Sequence, residues 1–274
     1  MSRTVLPGFR LALGLTLGYL GLIVLLPLAA LALQAAGLGW DRFVTVVTGP
    51  RALAAFQITV LAALGATALN AVFGLAIAWA LTRYDFPGKR LLDALVDVPF
   101  ALPTAVAGVA LTALFAANGW YGAVLEPLGI KVAYAPLGIM AAMAFTSLPF
   151  VVRSVQPVLE DLSADVEEAA ETLGAGSWRT FRSVVFPAIF PAFLAGCSLA
   201  FARSLGEFGA VIFIAGNQPF RTEIAALLVF IRLEEYDYQA AAAIASVMLA
   251  AAFVMLLIVN AIQLWHMRYA RAGA

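Results

Sequence analysis

Cysteine and histidine are almost missing from this chain: among 274 residues there is one of each, Cys197 and His266. One thiol cannot close a disulfide within the chain, and Cys197 sits in an apolar run, where a small buried hydrophobe is its expected role. One histidine leaves a histidine-based metal site or catalytic triad without support. Charge is also scarce, at 12% of residues. The 16 basic and 16 acidic side chains give a formal net charge of zero, which removes the electrostatic argument for a nucleic-acid partner. No G-x-x-x-x-G-K-[ST] run is present to cradle a nucleotide phosphate, so any energy from ATP has to come from another chain. There is no repeat of solenoid period, no low-complexity segment and no long soluble domain. No apolar run offers a nucleophile, a base and an orienting group at recognisable spacing, so neither catalytic residues nor metal ligands are expected.

Apolar sequence is what the chain has instead. Hydrophobic residues make up 64%, and mean hydropathy is +0.97, well beyond an ordinary soluble domain. This composition reads as a polytopic membrane protein. A bilayer core needs ~20 apolar residues, and six segments qualify: Leu11–Ala36, Ala52–Thr82, a third from Val98 onward, Val132–Val152, Ala188–Gly216 and Tyr238–Trp265. The first could also be a cleaved signal peptide, with Arg3 and Arg10 in front and Ala30-Leu31-Ala32 behind; its length favours a retained anchor. Gln57 and Asn70 are expected to hydrogen-bond to a neighbouring helix.

Asp93 and Asp97, four apart, read as an interfacial lead-in to the third segment, whose first half is made irregular by Pro99, Pro103 and Gly108. Freed backbone groups inside a bilayer need protein or a water-filled cavity, so this half-span is expected to face protein or a pathway. The fifth segment carries two charges, Arg203 and Glu207, one helical turn apart. A charge at the bilayer centre costs roughly 2.5 to 3.5 kcal/mol, so the two are expected to neutralise each other or partners on adjacent helices. Pro99, Pro103, Arg203 and Glu207 are the candidate path residues. Ile224–Ile231 is too short to cross and reads as an amphipathic helix on the outer rim.

The chain is organised around a polar interlude, Gln156–Pro187. Six carboxylates (Glu160, Asp161, Asp165, Glu167, Glu168 and Glu171) face two arginines, Arg179 and Arg182, for a formal charge of −4. Leu159, Leu162, Val166, Ala170 and Leu173 recur at helical spacing and predict an apolar face opposite the acids. Gly174 and Gly176 supply positive-φ freedom to end that helix. Ser177 is the expected N-cap of a second short helix carrying Trp178, Phe181 and Val185, and Pro187 and Pro191 are expected to open the next element. Ten lysines and arginines fall on the side of the chain that includes both termini and this interlude, against five on the other. Positive residues favour the cytoplasm. Residues 1–10 and 266–274 are therefore expected to be cytoplasmic ends flanking a 11–265 membrane domain with its loop at 156–187.

At the interlude the chain resembles the permeases of bacterial ABC importers, whose cytoplasmic signature is Glu-Ala-Ala, three residues, Gly, nine residues, Ile, one residue, Leu-Pro. Glu168, Ala169, Ala170, Gly174 and Pro187 fall in that register, with Val184 and Phe186 replacing isoleucine and leucine. The runs LTRYDFPGKRLLDALVDVPFALPTAVAG, AFTSLPFVVRSVQPVLE, FARSLGEFGAVIFIAGN and IRLEEYDYQAA resemble the T-type permeases of sulfate/thiosulfate importers; molybdate permeases share a weaker form. The resemblance implies an all-α, six-span permease of the type I ABC importer fold with cytoplasmic coupling helices in a bacterial inner membrane. Its partners would be a second, W-type permease, two ATP-binding subunits that hold ATP and magnesium, and a periplasmic sulfate-binding protein. It implies an ATPase-coupling set of Glu168, Ala169, Ala170, Gly174, Trp178 and Pro187. The competing class is an ion-coupled secondary transporter or channel, which Glu207 and the broken third span would suit but which leaves the signature unexplained.

Overall fold

The computed structural model describes the backbone of residues 8–272 and the side chains of 8–163 and 165–262. Arg3 and the side chains of His266, Arg268 and Arg271 lie outside that description. Among the described residues there are helices and no strand. Five helices are long and apolar enough to cross a membrane, and a sixth apolar helix is shorter. The long ones are α1 (Phe9–Ala36), α3 (Pro50–Arg83), α6 (Pro136–Asp161), α8 (Ser177–Leu205) and α10 (Tyr238–Ala272). Between them lie α2 (Trp40–Val47), α4 (Lys89–Val96), the shorter apolar α5 (Thr104–Phe115), α7 (Ala164–Thr172) and α9 (Ala225–Glu234).

The centre is a three-helix packing of α3, α6 and α8. Small residues let the backbones approach: a Cβ on Gly74 would lie 3.0 Å from Val151, and one on Gly196 would lie 3.0 Å from the Phe150 carbonyl. Ala62, Ala63 and Ala66 of α3 pack with Ile139, Ala142 and Met143 of α6 and Phe201 and Leu205 of α8 in one buried cluster. A polar knot fixes their register. Asn70 Nδ2 donates to the Ala144 carbonyl and to Ser147 Oγ, both at 2.9 Å, and Ser204 Oγ donates to Ser147 Oγ at 3.1 Å. Asn70 thus has the packing role expected of it, whereas Gln57 is exposed. α10 packs on α8, α9 and the second half of α1; of α1, only Ala35 is buried.

Several boundaries differ from those expected. α6 begins at Pro136, after Tyr134 has turned its N–H onto the Ile214 carbonyl at 2.7 Å, and runs on to Asp161. Gln156–Asp161 therefore extend a span and do not open a loop. The second loop helix and the fifth span are one element. Prolines at 187 and 191 do not start a new helix, because a five-residue π-turn, Phe181–Val185, precedes them and the helix continues through Phe186. A widened turn is a common accommodation where the backbone ladder is interrupted. α8 ends at Leu205, before Glu207. The third crossing is broken at Leu102–Pro103, both extended, as the prolines predicted. Its regular part has 12 residues, a length of about 18 Å. Gly108 does not interrupt it. Finally, α9 is two-faced, as its amphipathic pattern predicted: Leu227 and Leu228 are buried against the bundle, while Phe230 and Leu233 are exposed.

Candidate functional site

The first site is the turn between α7 and α8. Ser163 adopts an extended conformation, breaks the helix after Asp161, and caps α7 by accepting from the Asp165 N–H at 3.2 Å. Asp165 and Glu167 occupy the first turn of α7, where acids complement the helix dipole. The break explains why the apolar stripe of the sequence does not form one buried face: Leu159 is buried in α6, but Val166 is exposed and Leu173 is 89% exposed. α7 ends on Gly174 at φ +81°, with the Ala175 N–H reaching back to the Ala170 carbonyl at 3.0 Å, a glycine-closed helix terminus. Gly176 has negative φ; it, not Ser177, caps the following helix, its carbonyl accepting from Arg179 and Thr180.

Glu168, Ala169, Gly174 and Trp178 are therefore exposed on one knob, with Ala170 half-buried on its inner side. Pro187 stands apart, past the π-turn on α8. The knob is anchored by residues the sequence reading did not pair. Arg83, the last residue of α3, meets Glu167 Oε1 at 2.5 Å and donates to the Leu162 carbonyl at 3.3 Å. Its guanidinium also lies over the Trp79 ring at 5.9 Å, and Trp79 stands edge-on to Phe181 at 5.4 Å. Trp178 stacks on Phe181 at 5.7 Å. Nearby, Arg153 of α6 binds Asp93 Oδ1 at 2.6 Å and both oxygens of Asp97 at 2.8 and 2.7 Å. Asp93 and Asp97 are thus the acidic half of a clamp between α4 and α6, a role their four-residue spacing alone did not reveal.

The second site is at the far end of α8. Arg203 Nη1 and Glu207 Oε2 are 2.7 Å apart, so the two charges do neutralise each other. Glu207 is only 1% exposed, and its Oε1 accepts from the Ala210 N–H at 2.9 Å; Arg203 is about one third exposed. The carboxylate folds the chain after α8 into a turn that sits on the start of α5. A Cβ on Gly209 would lie 2.1 Å from Thr104 Oγ1, and one on Gly108 would lie 2.4 Å from the Ala210 carbonyl. The structure therefore brings the Pro103 break and the Arg203–Glu207 pair to one place, with Arg203 accessible and Glu207 not; Pro99, half-buried, lies one turn earlier beside the Phe100–Phe150 edge contact. Since α8 has 29 residues, about 43 Å, the pair and the knob stand at its opposite ends and the charges are not at mid-span. A second buried glutamate, Glu223, takes both Nε and Nη2 of Arg51 at 2.8 and 2.7 Å. These two side chains are 172 residues apart, and nothing in their local sequence announces the pair.

Comparison with known proteins agrees with the fold. The sulfate transport system permease protein CysT of Escherichia coli strain K12 is 58% identical over 262 residues, covering 96% of this chain and 95% of that protein. The protein of the same name from Synechocystis is 48% identical over 93% of this chain and 89% of its own length. A probable sulfate transport system permease protein of Marchantia polymorpha is 45% identical over 94% and 89%. The same fold occurs in a bacterial alginate ABC transporter crystallised in complex with an alginate pentasaccharide-bound periplasmic protein, with a TM-score of 0.75, 15% identity and coverage of 92% of each chain. Residues 70–271 match the family model described as binding-protein-dependent transport system inner membrane component. This multi-pass chain belongs to that family of transporter permeases.

Proposed function

We propose that this chain is the permease subunit through which an ABC importer moves sulfate across the inner membrane, powered by ATP hydrolysis on separate subunits. The observation that carries the reading is the α7–α8 knob: an exposed glycine turn, tied to α3 through Arg83–Glu167 and continuous with α8. It is rigid where a mechanical input has to be transmitted and exposed where a soluble partner has to touch. Glu168, Gly174 and Trp178 present the contact; Ala169 and Ala170 shape it, and Pro187 belongs to the helix that carries the motion away. ATP and magnesium reside on two partner ATPase subunits, a second permease of W type completes the path, and a periplasmic receptor delivers the anion. The relatives' shared name for sulfate supports the choice of cargo.

Within the path, Arg203 is the cation that an oxyanion meets. A doubly charged anion held tightly in a dry site would demand several converging donors, and Glu207 already occupies part of this guanidinium. The route therefore binds weakly and lowers a barrier, leaving affinity to the receptor. On this topology the knob and both termini are cytoplasmic and residues 217–237 lie outside. Cysteines at Ser177 and Gln218 in a Cys197→Ala background test the sidedness: in intact cells an impermeant thiol reagent should label position 218 alone. For cargo, the complex assembled with its ATPase and companion permease in lipid should hydrolyse ATP faster with sulfate-loaded receptor. Equal stimulation by molybdate alone, or transport without ATPase subunits, would reject the proposal.

A further inference from the structure

Thr82, next to the knob anchor Arg83, lines a cavity of about 440 Å³ between the end of α3, the start of α4 and the end of α6. That volume falls in the ~300–1,000 Å³ range of small-molecule sites. The walls are anchored to the bundle: Leu81 is buried, and Phe86 and Leu92 pack on the same apolar cluster. The lining itself is mostly polar. On the α6 side, Gln156 Oε1 accepts from Arg153 Nη1 at 2.6 Å, and Gln156 Nε2 donates to Glu160 Oε1 at 3.1 Å. Arg153 is in turn held by Asp93 and Asp97, so a continuous chain of bonds runs from α4 to α6 and orients the Glu160 carboxylate. On the α4 side, Lys89 pairs with Asp85 at 3.0 Å. Two charges in the lining stay uncommitted. Arg90 has no ion-pair partner among the described residues, and Glu160 meets an amide but no cation.

A guanidinium and a carboxylate that share a cavity without closing on each other offer one positive and one negative pole to whatever enters. We infer that this cavity binds a small zwitterion of the amino-acid class, with its carboxylate on Arg90 and its ammonium on Glu160. A planar guanidinium takes a carboxylate through two parallel bonds, and the oriented Glu160 accepts from an ammonium. Other charged ligands fit worse. A divalent oxyanion such as the cargo would face Asp85, Asp93 and Glu160, and a polyamine would face Lys89 and Arg90. No three histidine, cysteine, aspartate or glutamate side chains among the described residues are placed to hold a metal ion. The sidedness of the site rests on the importer reading given above, on which the cavity opens to the cytoplasm beside the knob. Its ligand is then a solute of the cell interior, and the site reports on an internal pool. A zwitterion spanning Arg90 and Glu160 ties α4 to α6 a second time, alongside the Arg153 clamp. Because α4 leads directly into the proline-broken third crossing, this strut holds that crossing against the core and favours the conformation in which the cavity is formed. Occupancy therefore slows transport.

The test uses the complete complex in lipid nanodiscs, where both faces are accessible, with the standard amino acids added one at a time at millimolar concentration. At least one should raise the thermal midpoint of the receptor-free complex and, over the same concentrations, lower the ATP hydrolysis stimulated by sulfate-loaded receptor. Arg90→Gln and Glu160→Gln should each raise its half-maximal concentration about tenfold, as expected for loss of a charge-assisted contact. Both residues are exposed, so the midpoint of the unliganded complex should hold. Propionate and ethylamine, each carrying one pole, should act at least about tenfold more weakly than the amino acid. Combining Arg90→Glu with Glu160→Arg should recover binding with the ligand reversed end for end, which general destabilisation would not do. The site is refuted if no amino acid moves the midpoint, if neither substitution weakens the effect, or if a single-pole analogue or free sulfate acts equally well. A midpoint shift with unchanged hydrolysis overturns the regulatory role. A wild-type complex that the loaded receptor fails to stimulate instead sinks the importer reading, and the midpoint measurement still decides the binding.

Discussion

The two ends of α8 treat acidic side chains in opposite ways. At the knob, five of the six carboxylates between Gln156 and Pro187 are exposed, and only Glu167 is drawn in, against Arg83. At the far end, Glu207 and Glu223 are each 1% exposed, and each holds an arginine. An exposed acid costs the fold little and is available to a partner. A buried one is expensive unless paired, so its presence marks a position that the architecture has to fix. The same residue type thus reads as recognition at one end and as construction at the other.

The sharpest way to break this contrast is to strand a buried acid. Arg203→Ala leaves Glu207 without its counter-charge and should lower stability by about 3 kcal/mol, the low end for a broken buried pair, seen as a fall in the thermal midpoint of the purified chain. Glu207→Gln keeps the bond from Ala210 and leaves Arg203 able to reach water, so its loss should be clearly smaller. Equal losses would mean that burial of the acid is not what matters. Next in size is the glycine contact beneath that pair: Gly108→Ala pushes a methyl against the Ala210 backbone and should cost about 1–3 kcal/mol.

At the knob the expected effects are on coupling. Gly174 has open space around it, so Gly174→Leu meets only the left-handed backbone, at about 1–2 kcal/mol. Uptake should fall while membrane levels persist, and Gly174→Asn, which tolerates that conformation, should retain most activity. The smallest effect on stability belongs to Glu168→Gln, within about 0.5 kcal/mol for an exposed site, yet ATP-driven sulfate uptake should drop. If Glu168→Gln lowered the thermal midpoint as Arg203→Ala does, the division between the two ends would not hold.

Features encoded locally were legible in the sequence. Gly174, the proline break before α5, the bonding of Asn70 and the pairing of Arg203 with Glu207 each follow from residue type and short spacing. The failures involve competition between nearby signals or partners far along the chain. Pro187 looked like a boundary because proline removes a donor, but the π-turn at Phe181–Val185 carries the helix past it. Ser163 broke a stripe whose spacing alone predicted continuity. Asp93 and Asp97 found Arg153, Glu167 found Arg83, and Glu223 found Arg51, none of which periodicity can announce.

The 12 residues of α5 bear on how the protein is made. At about 18 Å, the helix is well short of the ~30 Å hydrocarbon layer, so as the chain emerges from the ribosome this segment lacks the length to settle across the lipid on its own. Its contact at Gly108 and Thr104 is with residues 209 and 210, which are synthesised only after α6, α7 and α8. Biogenesis of the third crossing therefore has to be completed late, out of sequence order, and the fate of a nascent chain truncated before Glu207 should be retention by the insertion machinery or proteolysis.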